Sequence, residues 1–208
     1  MPGHVRKYTD REEIFNVITH AVGVLFALSA TFFLPVTEFS IFGAANCLYW
    51  CSLLFMFCGS SLYHATKDSR YRMLFRKFDH SAIYLLITGT YAPLITKIAP
   101  DRRGAAVMLA LSVLTAAGII IKFCRDSRLF HRIEIGIYLL MGWMCIAIAK
   151  PLLTGMSRDG LLLLLAGGIA YTSGVIFYVI KKEFFHAVWH VFVLAGAILQ
   201  FMAVLTLR

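Results

Sequence analysis

Seven stretches of this chain contain no formally charged residue, and this pattern limits the folds open to it more than any other feature. They run over residues 14–37, 39–66, 80–96, 104–121, 135–149, 160–180 and 184–207. A helix needs roughly 20 apolar residues to cross a bilayer, and only helices and closed barrels satisfy their backbone hydrogen bonds there. The stretches are continuously apolar rather than alternating, which favours helices. The two shortest still qualify, because flanking lysines and arginines can keep their charged heads among the lipid headgroups.

The sequence therefore predicts an all-α integral membrane protein, a bundle of seven transmembrane helices in a single domain over residues 1–208. The helices are expected at 15–34, 42–64, 80–97, 104–123, 132–149, 160–180 and 184–206. The composition agrees, since 60% of the residues are hydrophobic and only 15% are charged. Seven helices of about 20 residues leave only short loops, so the functional groups are expected inside the bundle.

The basic residues predict the orientation of the bundle. With seven spans, 14 of the 20 lysines and arginines fall on the same side of the membrane as the amino terminus: Arg6, Lys7, Arg11, Lys67, Arg70, Arg72, Arg76, Lys77, Lys122, Arg125, Arg128, Arg132, Lys181 and Lys182. The positive-inside rule then predicts a cytoplasmic amino terminus and an external carboxyl terminus. The net charge of +9 does not indicate nucleic-acid binding, because the basic residues are not clustered in one domain or interleaved with exposed aromatics. The seventh span contains no lysine that could carry a retinal Schiff base.

Ionisable residues converge at one membrane face in this topology. The second span ends with His64, the third begins beside Asp79, and the seventh begins with His186 and His190. Residues four apart project from one face of a helix, so His186 and His190 can bind the same metal through imidazole nitrogens. His64 would add a third nitrogen. Ionisable groups inside a membrane are rare and usually functional, so we predict a metal site here.

Three protein ligands and a water molecule form the open arrangement of catalytic zinc, so zinc is the predicted cofactor. Three imidazoles alone do not distinguish zinc from other transition metals. Asp79 is the candidate general base, and Ser60, one turn before His64, is a candidate to orient the water. Other interpretations remain open at this point. The histidine pair could serve only for packing at the membrane interface. Ser60 could donate a hydrogen bond to a backbone carbonyl of the preceding turn, and Asp79 could interact only with the dipole of its helix.

A second set of polar residues opens the first span, where Glu13, Asn16 and His20 share one helix face. They are expected either to hold the metal ligands in place or to bond headgroups and neighbouring helices. His80 is grouped with them, although it points about 100° away from the preceding residue around its helix. An exposed position in a loop or at a helix end is expected for the remaining histidines, His4 and His131.

Taken in order, these motifs resemble the haemolysin III family of the progestin and adiponectin receptor (PAQR) superfamily. The matching motifs are Glu13-x-x-Asn16-x-x-x-His20, Ser60-x-x-x-His64, Asp79-His80 followed by Gly89-Thr90-Tyr91-Ala92-Pro93, and His186-x-x-x-His190. The resemblance implies a bacterial inner-membrane protein of seven helices with its amino terminus in the cytoplasm. It also implies that His64, His186 and His190 hold zinc near the cytoplasmic leaflet, with Asp79 and Ser60 beside the metal's water.

Two functions are compatible with this pattern. Relatives in the wider superfamily are linked to ceramidase-like amide hydrolysis, which implies a zinc-dependent hydrolase that attacks a lipid amide or ester, with Asp79 as general base. The bacterial branch is named for haemolytic activity and has been tied to membrane homeostasis. The alternative is therefore a non-catalytic regulator of the membrane, a haemolysin or a pore-former in which the metal is structural. In either case membrane lipid is the expected ligand.

Overall fold

The computed structural model describes residues 8–125 and 127–207, and the described residues contain helices and loops but no β-strand. The helices are α1 (Asp10–Ala30), α2 (Ile41–Ala65), α3 (Ser69–Ile98), α4 (Arg102–Cys124), α5 (Arg128–Gly142), α6 (Ala149–Gly155), α7 (Arg158–Val179) and α8 (Phe185–Leu205), with a 3-10 helix over Trp143–Ile148. Within these described residues, seven segments are long and apolar enough to span a membrane, because α5, the 3-10 helix and α6 together form the fifth. The predicted seven-helix membrane bundle is confirmed. His4, Arg6, Lys7 and Arg208 lie outside the described residues.

The third span begins earlier than its apolar pattern predicts, at Ser69 rather than at residue 80. Asp68 caps this helix by accepting hydrogen bonds from the backbone N–H groups of Arg70 and Tyr71. The added turns carry most of the basic residues of this region, so they are helical without being apolar. A charge-free stretch marks only the part of a helix that crosses the hydrocarbon layer, and the helix itself can extend beyond it.

The fifth span is interrupted, whereas the sequence predicts one continuous helix over 132–149. Its α-helical hydrogen bonding stops at Gly142 and resumes at Ala149. The hydroxyl of Tyr91 on α3 donates to the Gly142 carbonyl at 2.8 Å and accepts from the Cys145 N–H at 2.7 Å. A side chain on a neighbouring helix thus satisfies backbone groups at the interruption, as an apolar environment requires.

Small residues bring the histidine-bearing helices close together. A Cβ atom at Gly23 of α1 would lie 2.1 Å from the Phe57 ring of α2, and one at Gly89 of α3 would lie 2.3 Å from Ser52 Oγ of α2. Close backbone approach at small residues is the usual way in which transmembrane helices pack. In this bundle α1 contacts both α2 and α8, and α2 contacts α3. The two helices that carry the candidate ligands, α2 and α8, therefore both pack against α1.

Candidate metal centre

One carboxylate ties the start of α1 to the start of α8. Glu12 forms a capping box with Thr9, since Thr9 N–H donates to Glu12 Oε2 at 2.9 Å and Glu12 N–H donates to Thr9 Oγ1 at 3.2 Å. The other oxygen of Glu12 accepts from the backbone N–H of Phe184 at 3.1 Å. Phe184 adopts a left-handed conformation with φ of 59°, which is uncommon for a bulky residue. This bond holds α8 in position two residues before His186.

The three predicted imidazoles meet. One ring nitrogen from each of His64, His186 and His190 lies within 4.8 Å of the other two. The ring centroids are 5.2 Å apart for His64 and His186, 5.1 Å for His64 and His190, and 4.5 Å for His186 and His190. Such convergence of imidazole nitrogens is what a transition-metal ion requires.

Residues of α1 contact the Nδ1 atoms of two of these rings. His64 Nδ1 lies 2.6 Å from Glu13 Oε2. His190 Nδ1 lies 3.2 Å from Thr19 Oγ1, whose proton goes to backbone carbonyls of α1, so the hydroxyl oxygen accepts from the ring. The Nε2 atoms of His64 and His186 are buried without a hydrogen-bond partner among the described residues. A ring that gives its Nδ1–H to an oxygen and keeps Nε2 for a cation has the usual form of a metal-binding histidine.

Arg72 at the start of α3 supports the Glu13 carboxylate. Its guanidinium pairs with Glu13 Oε1 and also donates to the carbonyl of Thr66 at 2.8 Å, just beyond the end of α2. The same group lies 4.7 Å from the ring centroid of Tyr63. The chain of contacts from Arg72 through Glu13 to His64 thus joins α3, α1 and α2.

Two of the three candidate ligand rings border a large cavity inside the bundle. The cavity has a volume of about 540 Å³, and His186 and His190 line it together with Ser60 and Asp79. The wall continues along apolar side chains that include Leu86, Leu94, Ile146, Leu164 and Val175. Ligand sites commonly combine a mostly apolar pocket with a few convergent polar groups.

Comparisons with known proteins show the family of this chain. Residues 8–201 match the sequence profile described as haemolysin-III related. The chain belongs to the haemolysin III family. It is similar to the hemolysin-3 homolog of Bacillus subtilis (strain 168), with 37% identity in an alignment of 210 positions that covers 95% of each chain. It is also similar to hemolysin-3 of Bacillus cereus, with 37% identity over 201 residues that cover 94% of this chain and 91% of that protein.

A more distant relative extends the likeness to the PAQR superfamily. The human monocyte to macrophage differentiation factor is 28% identical over 167 residues, which cover 76% of this chain and 67% of that protein. The predicted family resemblance is therefore confirmed. With its seven spans and its bacterial relatives, this haemolysin III protein is a multi-pass protein of the cell membrane.

The remaining predicted site residues take different positions in this haemolysin III protein. Asp79 is partly buried at the cavity wall. Ser60 is fully buried, and its Oγ has no hydrogen-bond partner among the described residues, so it does not bond the carbonyl of the preceding turn. Asn16 lies with its amide nitrogen 3.3 Å from His64 Nδ1. His20 is buried, its ring centroid is 3.8 Å from that of His190, and it lines the cavity.

His80 joins a different group, which the sequence does not predict. It contacts Glu134 of α5, and Glu134 also contacts His131 and Lys122. His131 lies in the first turn of α5, at a helix end as expected, but its side chain is only 28% exposed. Lys122, expected in a cytoplasmic segment, is completely buried. The available signal was Glu134 itself, a lone acidic residue three positions after His131 at the edge of an apolar stretch.

Proposed function

We propose that this protein is a metal-dependent hydrolase that cleaves an amide or ester bond of a membrane lipid. The observation that supports it most is the convergence of three imidazoles, two of which line one largely apolar cavity together with Asp79 and Ser60. A site of this kind has ligands for a cation, a carboxylate for proton transfer and space for a hydrocarbon chain.

The residues present fit zinc. His64, His186 and His190 would hold the ion, since the Nε2 atoms of His64 and His186 are buried without protein partners among the described residues and Glu13 holds the Nδ1 of His64. When bound, zinc supplies a Lewis acid that lowers the pKa of a coordinated water to about 7.

Asp79 is the residue proposed to move protons. One oxygen of its carboxylate accepts the proton of the attacking water and then passes it to the leaving nitrogen or oxygen, so the same group acts as base and as acid. The Ser60 hydroxyl, buried at the same cavity wall, orients the water or the substrate carbonyl through a hydrogen bond. Neither residue needs to bind the metal for these roles.

The cavity is proposed to bind the lipid through its apolar wall. Its volume of about 540 Å³ lies within the range of sites that enclose small organic ligands. The leucine, isoleucine and valine side chains along it would contact an acyl chain and exclude bulk water from the site. The scissile bond would then lie next to Asp79 and the histidines.

The decisive experiment compares turnover with metal content in the detergent-purified protein, using a panel of lipid amides and esters. Asp79→Asn should lower kcat by about 10²- to 10⁴-fold, the usual contribution of a general base, without loss of metal. His190→Gln should lose both metal and turnover. Asp159→Asn removes an exposed carboxylate at the start of α7 and serves as the matched control, with unchanged activity.

A wild-type protein that binds zinc but leaves every lipid of the panel intact would contradict the proposal. If a cellular phenotype then persisted in Asp79→Asn but was lost in His190→Gln, a metal that only joins the helices would explain the site better. That result would support the non-catalytic alternative.

A further inference from the structure

A second group of metal-binding side chains lies on the same cavity. His80 of α3 and His131 and Glu134 of α5 each offer one ligand atom within 4.8 Å of the other two. His80 and Glu134 are buried, and the two histidines line the cavity. No residue of this group belongs to the histidine centre described above.

The ligand atoms have the spacing that a shared cation requires, and the contact of His80 with Glu134 is also a long hydrogen bond. Glu134 Oε2 is 3.3 Å from His80 Nδ1 and 3.5 Å from His131 Nδ1. A hydrogen bond from an imidazole N–H to a carboxylate is usually shorter, about 2.7 to 3.2 Å. Two ligands about 2.0 to 2.1 Å from a tetrahedral zinc ion are themselves about 3.3 to 3.4 Å apart.

Two atoms of the group have no hydrogen-bond partner. His131 Nδ1 and Glu134 Oε1 are buried without one among the described residues. Buried polar atoms of native proteins are nearly always paired, so each such atom indicates a missing ligand or ion. A cation in contact with His131 Nδ1 and with both carboxylate oxygens of Glu134 would satisfy both atoms.

Other residues hold the three ligands in place. Lys122 Nζ lies 2.8 Å from Glu134 Oε2 and occupies only one of the roughly four lone-pair positions of the carboxylate. Tyr138 donates to the His80 carbonyl at 2.8 Å, and the Tyr178 hydroxyl lies 3.4 Å from His131 Nε2. Such outer contacts orient ligands at metal sites. The positive charge of Lys122 also opposes a second cation, so this site should bind its metal more weakly than the three-histidine centre.

We propose that His80, His131 and Glu134 form a second transition-metal site of the zinc class, with its open coordination position toward the cavity. Two imidazoles and one carboxylate are an established ligand set for zinc. The site is independent of the proposed hydrolysis, because it would bind its metal whether or not the protein turns over a lipid.

The test is a titration of metal-free, detergent-purified protein with Co²⁺, followed by visible absorption, and with Zn²⁺, followed by elemental analysis. The wild type should bind two equivalents, one tightly and one more weakly. Glu134→Gln should lose the weaker equivalent and His64→Gln the tighter one. Glu38→Gln, an exposed carboxylate outside both groups, should keep both.

His131→Gln provides a second variant in case Glu134→Gln fails to fold, since this ring is partly exposed, and it too should lose the weaker equivalent. The proposal is overturned if either folded variant binds as much metal as the wild type, or if His64→Gln alone removes all bound metal. A weaker equivalent retained in His64→Gln, together with a wild-type protein that turns over no lipid of the panel, would support this second site while counting against the proposed hydrolysis.

Discussion

Glu13 connects the amino-terminal helix to the chemistry of the histidine centre. Its carboxylate bonds His64 on one side and Arg72 on the other, although the three residues lie far apart in the chain. Accepting the Nδ1–H of His64 makes the ring a better electron donor at Nε2 and restricts its rotation. Glu13 is therefore the residue proposed to position His64 as a metal ligand.

Replacement of Glu13 by glutamine should weaken zinc binding about 10- to 100-fold, because the amide keeps the shape but not the charge of the group that orients His64. The dissociation constant can be measured by competition with a coloured chelator. Asp10→Asn is the control, since Asp10 is an exposed acidic residue on the same helix. Equal affinity in Glu13→Gln and the wild type would show that the contact has no role in metal binding.

At the scale of helices, two contacts illustrate how neighbouring spans of the bundle pack and bond. Gly23 allows α1 to approach the Phe57 ring of α2, which brings the helix that carries Glu13 close to the helix that carries His64. Tyr91 of α3 bonds the backbone of the fifth span where that span leaves the α-helical form. One contact is steric and the other polar, so they can be tested separately.

Gly23→Ala should destabilise the protein by about 1 to 3 kcal/mol, because the added methyl group overlaps the Phe57 ring and forces α1 and α2 apart. Gly136→Ala is the matched control, since a Cβ there meets no atom within 4 Å and alanine favours a helix. Unfolding in mixed micelles, followed by circular dichroism, measures both. The prediction is wrong if the two variants are equally stable.

Tyr91→Phe should lower the free energy of unfolding by about 1 to 3 kcal/mol, because the Gly142 carbonyl and the Cys145 N–H lose their shared partner. The same unfolding measurement applies. Tyr71→Phe, which removes the hydroxyl of an exposed tyrosine, should have little effect. A Tyr91→Phe protein as stable as the wild type would mean that water or another group replaces the hydroxyl.

At the scale of the whole molecule, apolar side chains lie both on the outer surface of the bundle and in its interior. Large residues such as Leu25, Leu109 and Leu140 are exposed on the outside, as expected for contact with lipid chains. Polar groups gather inside, around a cavity bordered by residues of both candidate metal groups. The histidine centre joins α2 to α8, the helices that flank α1.

Removal of metal should therefore destabilise the entire bundle. A ligand at 100 times its dissociation constant stabilises a folded protein by about 2.7 kcal/mol. Removal of such a ligand by a chelator should lower the Tm by about 5 to 10 °C. Thermal unfolding with and without a membrane-excluded chelator measures the shift. A variant with His64, His186 and His190 all replaced by glutamine should lose most of it, and an unchanged shift in that variant would contradict the assignment of the ligands.

The sequence by itself determined the seven spans, because the transfer of each apolar stretch into lipid depends on its own residues. It also paired His186 with His190, since helical spacing alone puts them on one face, and its ordered motifs were enough to recognise the family. The topology of the spans then grouped His64 with that pair, and the structure brings all three rings together.

Only the tertiary structure decided which partners the other polar residues have. The contact between Glu13 and His64, the interruption opposite Tyr91, and the group of His80, His131, Glu134 and Lys122 all join side chains from different helices. Such contacts depend on how helices rotate about their axes and how closely they approach. Neither quantity is encoded in the spacing of residues along one helix, so an isolated charged residue such as Lys122 or Glu134 reads as the end of a span although it lies inside the protein.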